Sequence, residues 1–115
     1  MFTRAFAAVL LIGFVAGSTI ARAEETTDGE EYRLVIKDHR FDPAELVVPA
    51  GKRIKLVVEN QDATPEEFES HSLKREKVVA AGGTITVLVG PLEAGTYDFF
   101  GEFNPKTATG KLIAN

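Results

Sequence analysis

A chain of 115 residues with no cysteine and a formal charge of −4 is excluded from several large classes before any motif is read. Without a thiol it offers no thiolate metal ligand, cysteine nucleophile, zinc ribbon or disulfide framework. Its excess of acid makes nucleic acid and anionic membrane surfaces poor partners, and metal cations or basic protein patches good ones.

Residues 1–23 read as a signal peptide: Arg4 gives a positive start, 5–17 is apolar, and Ala21-Arg22-Ala23 has the small-x-small form of a cleavage site. Gly17-Ser18-Thr19 interrupts the apolar run short of the roughly 20 residues that a membrane anchor needs. Removal of this segment leaves 92 residues, one small domain, and takes the formal charge to −6. Residues 24–30 are polar and acidic and are expected to form a flexible leader, with the folded domain over 31–115.

From Glu31 apolar and polar side chains alternate: Tyr32, Leu34 and Ile36 share one face of an expected strand. Phe41-Asp42-Pro43 reads as a turn, 44–48 as a second strand, and Ile54, Leu56 and Val58 as the inward face of a third that ends at Asn60-Gln61-Asp62. After an acidic stretch, 80–83 is a glycine-rich turn, and 84–89 is β-branched almost throughout, as a pleated surface prefers. A strand from Gly95 places Tyr97 and Phe99 on one face, 105–109 is compatible with a single turn, and 110–114 is a last short strand. No segment after residue 23 keeps a helical period. About seven short strands at near-regular spacing predict an all-β sandwich.

The stretch TPEEFESHSLKREK at 64–77 breaks the pattern, with Glu66, Glu67, Glu69, Glu76 and His71 inside eleven residues. Alternation puts Glu66, Phe68 and Ser70 on one face, and Glu67, Glu69 and His71 on the other. With Phe68 in the core, Glu66 needs a partner. Like charges on neighbouring strand positions repel, so the other acids either face water or gather round a cation. Lys74, Arg75 and Lys77 could supply that charge through pairs with Glu67 or Glu69, and so could a metal ion. His71 is better placed for ligation than His39, and Glu102 is flanked by Phe100 and Phe103. Phe41, Phe68, Phe99 and Phe103 are assigned to the core.

FDPAELVVPAGKRIKLVVENQD at 41–62 and GPLEAGTYDFFGEFNPKTATGKLIA at 90–114 resemble the cupredoxin superfamily, which implies a Greek-key β-sandwich. By position Glu66 stands where that superfamily has its first copper-binding His, Gly101 at or near its Cys, and Asn104 at or near its second His. A blue-copper centre needs a thiolate, so type 1 copper is not expected. TPEEFES, LKREK and GPLEAGTYDFFGEF together look like the periplasmic cupredoxin-like proteins that accompany bacterial ferrous-iron permeases. That resemblance implies an iron or copper ion held through Glu66, Glu67, Glu69, Glu76 and Glu102, and the placing of His71 among those acids makes it the candidate nitrogen ligand. It also implies support of Fe(II) oxidation or delivery in the periplasm, with an iron permease complex or a periplasmic iron-binding protein as partner. The competing reading is a metal-free module whose acidic face docks a basic partner. A third reading, a hydrolase, has almost no support, because no nucleophile elbow, phosphate loop or zinc-protease motif is present.

Overall fold

A computed structural model describes residues 29–115. The expected signal peptide and the leader up to residue 28 lie outside the described residues. Nine strands follow: β1 (Glu30–Lys37), β2 (Arg40–Asp42), β3 (Glu45–Val48), β4 (Ile54–Asn60), β5 (Glu66–Ser70), β6 (Arg75–Val79), β7 (Thr84–Val89), β8 (Gly95–Phe100) and β9 (Thr109–Ala114). They form two mixed sheets, in the order β2-β1-β4-β7 and β3-β9-β8-β5-β6. No helix occurs among the described residues, so the all-β expectation holds with two strands more than the pattern suggested.

The alternating segments bury the faces expected of them. Leu34, Ile36, Ile54, Leu56 and Val58 from one sheet meet Phe68, Phe99 and Leu112 from the other, all essentially inaccessible to water. Phe41, Phe68 and Phe99 stack edge-on or tilted with centroids 4.9 to 6.2 Å apart. Such ring pairs contribute about 0.5–1.5 kcal/mol beyond their buried area. β1 and β4 run parallel from Glu30↔Ile54 to Ile36↔Asn60, so pairing begins one residue inside the stretch expected to be a leader.

Three expectations are corrected. Arg40–Asp42 is a short strand paired with β1 rather than part of a turn. Arg75–Val79 is an edge strand on β5 that its charges conceal from any apolar pattern. Phe103 is 51% exposed, on the loop after β8, not in the core.

The charges of β6 have a structural use. β6 and β7 are outer strands of the two sheets and lie beside each other on one side of the sandwich. Arg75 donates to the Leu88 carbonyl at 3.0 Å and Lys77 to that of Thr86 at 3.1 Å. The cations thus satisfy an unpaired edge. No ion pair among the described residues joins them to Glu67 or Glu69, so the cross-hairpin neutralisation considered from the sequence is not what they do.

Candidate metal centre

At the end of the sandwich where β5 starts, two carboxylate groups lie on opposite faces of that strand. The inner group begins at the β1–β2 hairpin, whose two-residue loop is Asp38-His39. Both residues have positive φ, 55° and 58°, as a tight hairpin requires, and non-glycine residues adopt that conformation at a cost of about 1–2 kcal/mol each. The Asp62 carboxylate meets part of that cost by accepting the Asp38 and His39 backbone N–H groups at 2.7 and 3.0 Å. The loop delivers the His39 ring to the core edge, with Nδ1 2.6 Å from Glu66 Oε2 and 3.6 Å from Asp62 Oδ2. Glu66 Oε1 accepts the Asn104 side-chain amide at 3.2 Å.

Glu66 is 1% exposed, so the partner its position demanded is His39, seconded by Asn104. The hydrogen bond to Glu66 holds the imidazole of His39 above its ordinary pKa, with help from the charges of Glu66, Asp62 and Asp38 and against the effect of desolvation. Burial pushes the Asp62 carboxyl up. Its hydrogen bonds to His39, Glu66 and Asp38, together with the charge of His39, outweigh that and leave it below the usual carboxylate range.

The outer group comprises Glu67, Glu69, Glu76 and Glu102, each offering one oxygen, with all four atoms within 4.8 Å of one another. Register explains the crowding. Glu69 stands directly opposite Glu76, Glu67 is on the same face two residues before Glu69, and Glu69 also pairs with Phe100, two residues before Glu102. Glu67 is buried and accepts the Glu102 backbone N–H at 2.8 Å. One Glu69 oxygen, Oε1, is buried with no hydrogen-bond partner. Burial, and then the neighbouring Glu69, push the Glu67 carboxyl up against the pull of the Glu102 N–H and the Glu76 carboxyl. Glu76 is raised chiefly by the hydrogen bond it shares with Glu67, then by desolvation and the charges of Glu67 and Glu102, with His71 opposing. Without an added cation, Glu67 and Glu76 retain protons more readily than isolated carboxylates do.

Of the residues singled out from the sequence, Glu67, Glu69, Glu76 and Glu102 are brought together, and Glu66 is turned away from them into the inner group. His71 sits in the β5–β6 turn, exposed, its ring 5.3 Å from that of Phe100. Gly101 packs so closely that a Cβ there would come 2.8 Å from the Glu67 carbonyl oxygen. Asp62, Asn60 and the role of His39 were missed. Asn60 is buried, donates to the carbonyls of Thr64, Val79 and Ala80 at 2.9 to 3.2 Å, and accepts the Asp62 N–H at 2.8 Å. It sets the loop that carries Asp62. The available signal was the unpartnered acid at Glu66, which called for a cation from a neighbouring turn.

The family model for the cupredoxin-like domain matches residues 5–114. An uncharacterized protein of Rickettsia prowazekii (strain Madrid E) is 45% identical over 85 residues, which is 74% of this chain and 68% of that protein. Auracyanin A, a "blue" copper protein of Chloroflexus aurantiacus, superposes with a TM-score of 0.64 at 18% identity over 74% of this chain and 98% of its own. Amicyanin from Paracoccus versutus gives 0.60 at 18% identity over 74% and 81%. A thiolate-ligated copper centre does not fit the present residues, because the chain supplies no cysteine.

Proposed function

The chain belongs to the cupredoxin-like domain family, and on that premise we propose that it is an exported metal-binding protein that holds an iron or copper ion through carboxylates. Glu67, Glu69, Glu76 and Glu102 are the ligands. The observation that carries this reading is the Glu69 Oε1 atom, buried without a partner among four carboxylates that no lysine or arginine pairs with among the described residues. An unpaired buried acceptor costs about 1–3 kcal/mol, and a cation at its lone pair removes that cost. All-oxygen sets suit hard cations, and they favour Fe(III) over Fe(II). Bound Fe(II) is therefore easier to oxidise, each ion giving one electron to dioxygen. Iron is cargo in this scheme, passed to an iron permease complex or a periplasmic iron-binding protein.

The test is calorimetric titration of the chain lacking residues 1–23 with anaerobic Fe(II) and with Cu(II). One equivalent is expected to bind, with affinity lowered at least about tenfold, 1.4 kcal/mol, in Glu69→Gln and Glu76→Gln. Oxygen uptake with Fe(II) above a protein-free control would support oxidation as well as carriage. A second reading, docking of a basic partner protein, draws on the exposure of Glu76 and Glu102 beside Val78, itself 57% exposed. It takes precedence if no metal binds more tightly than about millimolar.

A further inference from the structure

We propose that His39, Asp62 and Glu66 form a second metal site, of mixed imidazole and carboxylate donors, that takes Zn(II) or Cu(II). The site is separate from the outer carboxylates and does not depend on the function assigned to them. Its three donors come from three different elements: the β1–β2 hairpin, the loop after β4 and the first residue of β5. One donor atom from each lies within 4.8 Å of the others. Nδ1 of His39 faces both carboxylates, 2.6 Å from one and 3.6 Å from the other.

Support behind the donors is already in place. Both Asp62 oxygens accept backbone N–H groups, Glu66 Oε1 accepts the Asn104 amide, and Glu66 Oε2 shares with His39 Nδ1 a hydrogen bond whose proton a metal ion would displace. Hydrogen bonds of this kind behind a ligand fix its orientation and commonly affect metal affinity by 10- to 100-fold. Glu66 is 1% exposed, and among the ion pairs of the described residues its carboxylate and that of Asp62 are joined only to His39. One imidazole therefore faces two carboxylates, and a divalent cation balances their charge.

Donor chemistry selects the ion. An imidazole beside two carboxylates suits Zn(II) and Cu(II), whereas an all-oxygen set suits harder ions. The set also differs from a thiolate copper centre, since it has no sulfur and its imidazole comes from the first hairpin. His39 also lines a groove of about 380 Å³ together with Phe103, Asn104, Pro105, Lys106 and Thr107.

The test uses a Glu69→Gln/Glu76→Gln chain, in which the outer carboxylates are disabled, titrated with Zn(II) by calorimetry and by imidazole nitrogen NMR. One equivalent is expected to bind, with the His39 Nδ1 resonance displaced and that of His71 unmoved. Adding His39→Asn or, separately, Asp62→Asn is expected to weaken binding at least tenfold, with circular dichroism confirming that each variant is folded. The proposal is overturned if zinc fails to bind in the double variant, if His39 Nδ1 does not move, or if both further variants bind as tightly as their parent. Loss of iron binding in the double variant together with retained zinc binding separates this site from the outer one.

Discussion

His39 adopts a backbone conformation uncommon for a residue with a side chain, φ 58°, and its ring is the counter-charge of a buried acid. This combination gives the metal-free protein a pH dependence of definite sign. The folded state raises the imidazole pKa above its ordinary 6.5, first through the hydrogen bond to Glu66. A raised cationic pKa contributes stability that is fully present below the unfolded value and is lost as pH rises through the folded one. In the presence of chelator, the midpoint of urea unfolding should therefore fall as pH is raised from about 6, and His39→Gln should flatten that slope. Asp62, with its pKa lowered, works in the opposite window: its contribution is lost as pH falls below the ordinary carboxylate value of 3.8. A midpoint independent of pH between 6 and 8 in the wild-type chain would show that the pair carries no linked proton. The role of His39 could not be read from its neighbours in the chain, because its partners are 23 and 27 residues away.

Strand β5 is the element on which both sites depend, because its strict alternation sends consecutive glutamates to opposite faces. Glu66 goes inward with Phe68 and Ser70, and Glu67 goes outward with Glu69, as the period of two predicted. The start of β5 is set by Asn60, whose amide joins the end of β4 to the carbonyls of Thr64, Val79 and Ala80. Asn60→Ala strands those acceptors and frees the Asp62 loop, and should lower stability by about 1–3 kcal/mol in urea denaturation. Gln61→Ala, at an exposed neighbour, should stay within about 0.5 kcal/mol of wild type. Equal effects at the two positions would remove Asn60 from this role. The sequence showed β1, β4 and β8 through their apolar alternation and β7 through its β-branched residues, and hid β6, whose Arg75 and Lys77 reach the β7 carbonyls. It also assigned Phe103 to the core because aromatic residues usually go there, whereas the chain places it on a loop beside the groove at His39.

At the scale of the whole molecule, stability and the proposed function make opposite demands on the outer carboxylates. Four acids gathered without a cation repel one another, and the directly opposed pair Glu69↔Glu76 is an unfavourable cross-strand contact. Glu69→Gln removes one charge from that pair while preserving the shape of the side chain, and should stabilise the metal-free protein by about 0.2–1 kcal/mol. Metal should reverse the order. A ligand that binds only the folded state at 100 times its dissociation constant adds about 2.7 kcal/mol, so the wild-type chain should overtake the variant once iron is supplied. Thermal unfolding of both chains, with chelator and then with anaerobic Fe(II), reads out the crossing. A core assembled only for stability would show Glu69→Gln either neutral or harmful in both conditions. A crossing identifies the carboxylate cluster as a feature kept at the expense of the metal-free fold, and a wild-type chain less stable than Glu69→Gln in both conditions would point instead to a surface shaped for a basic protein.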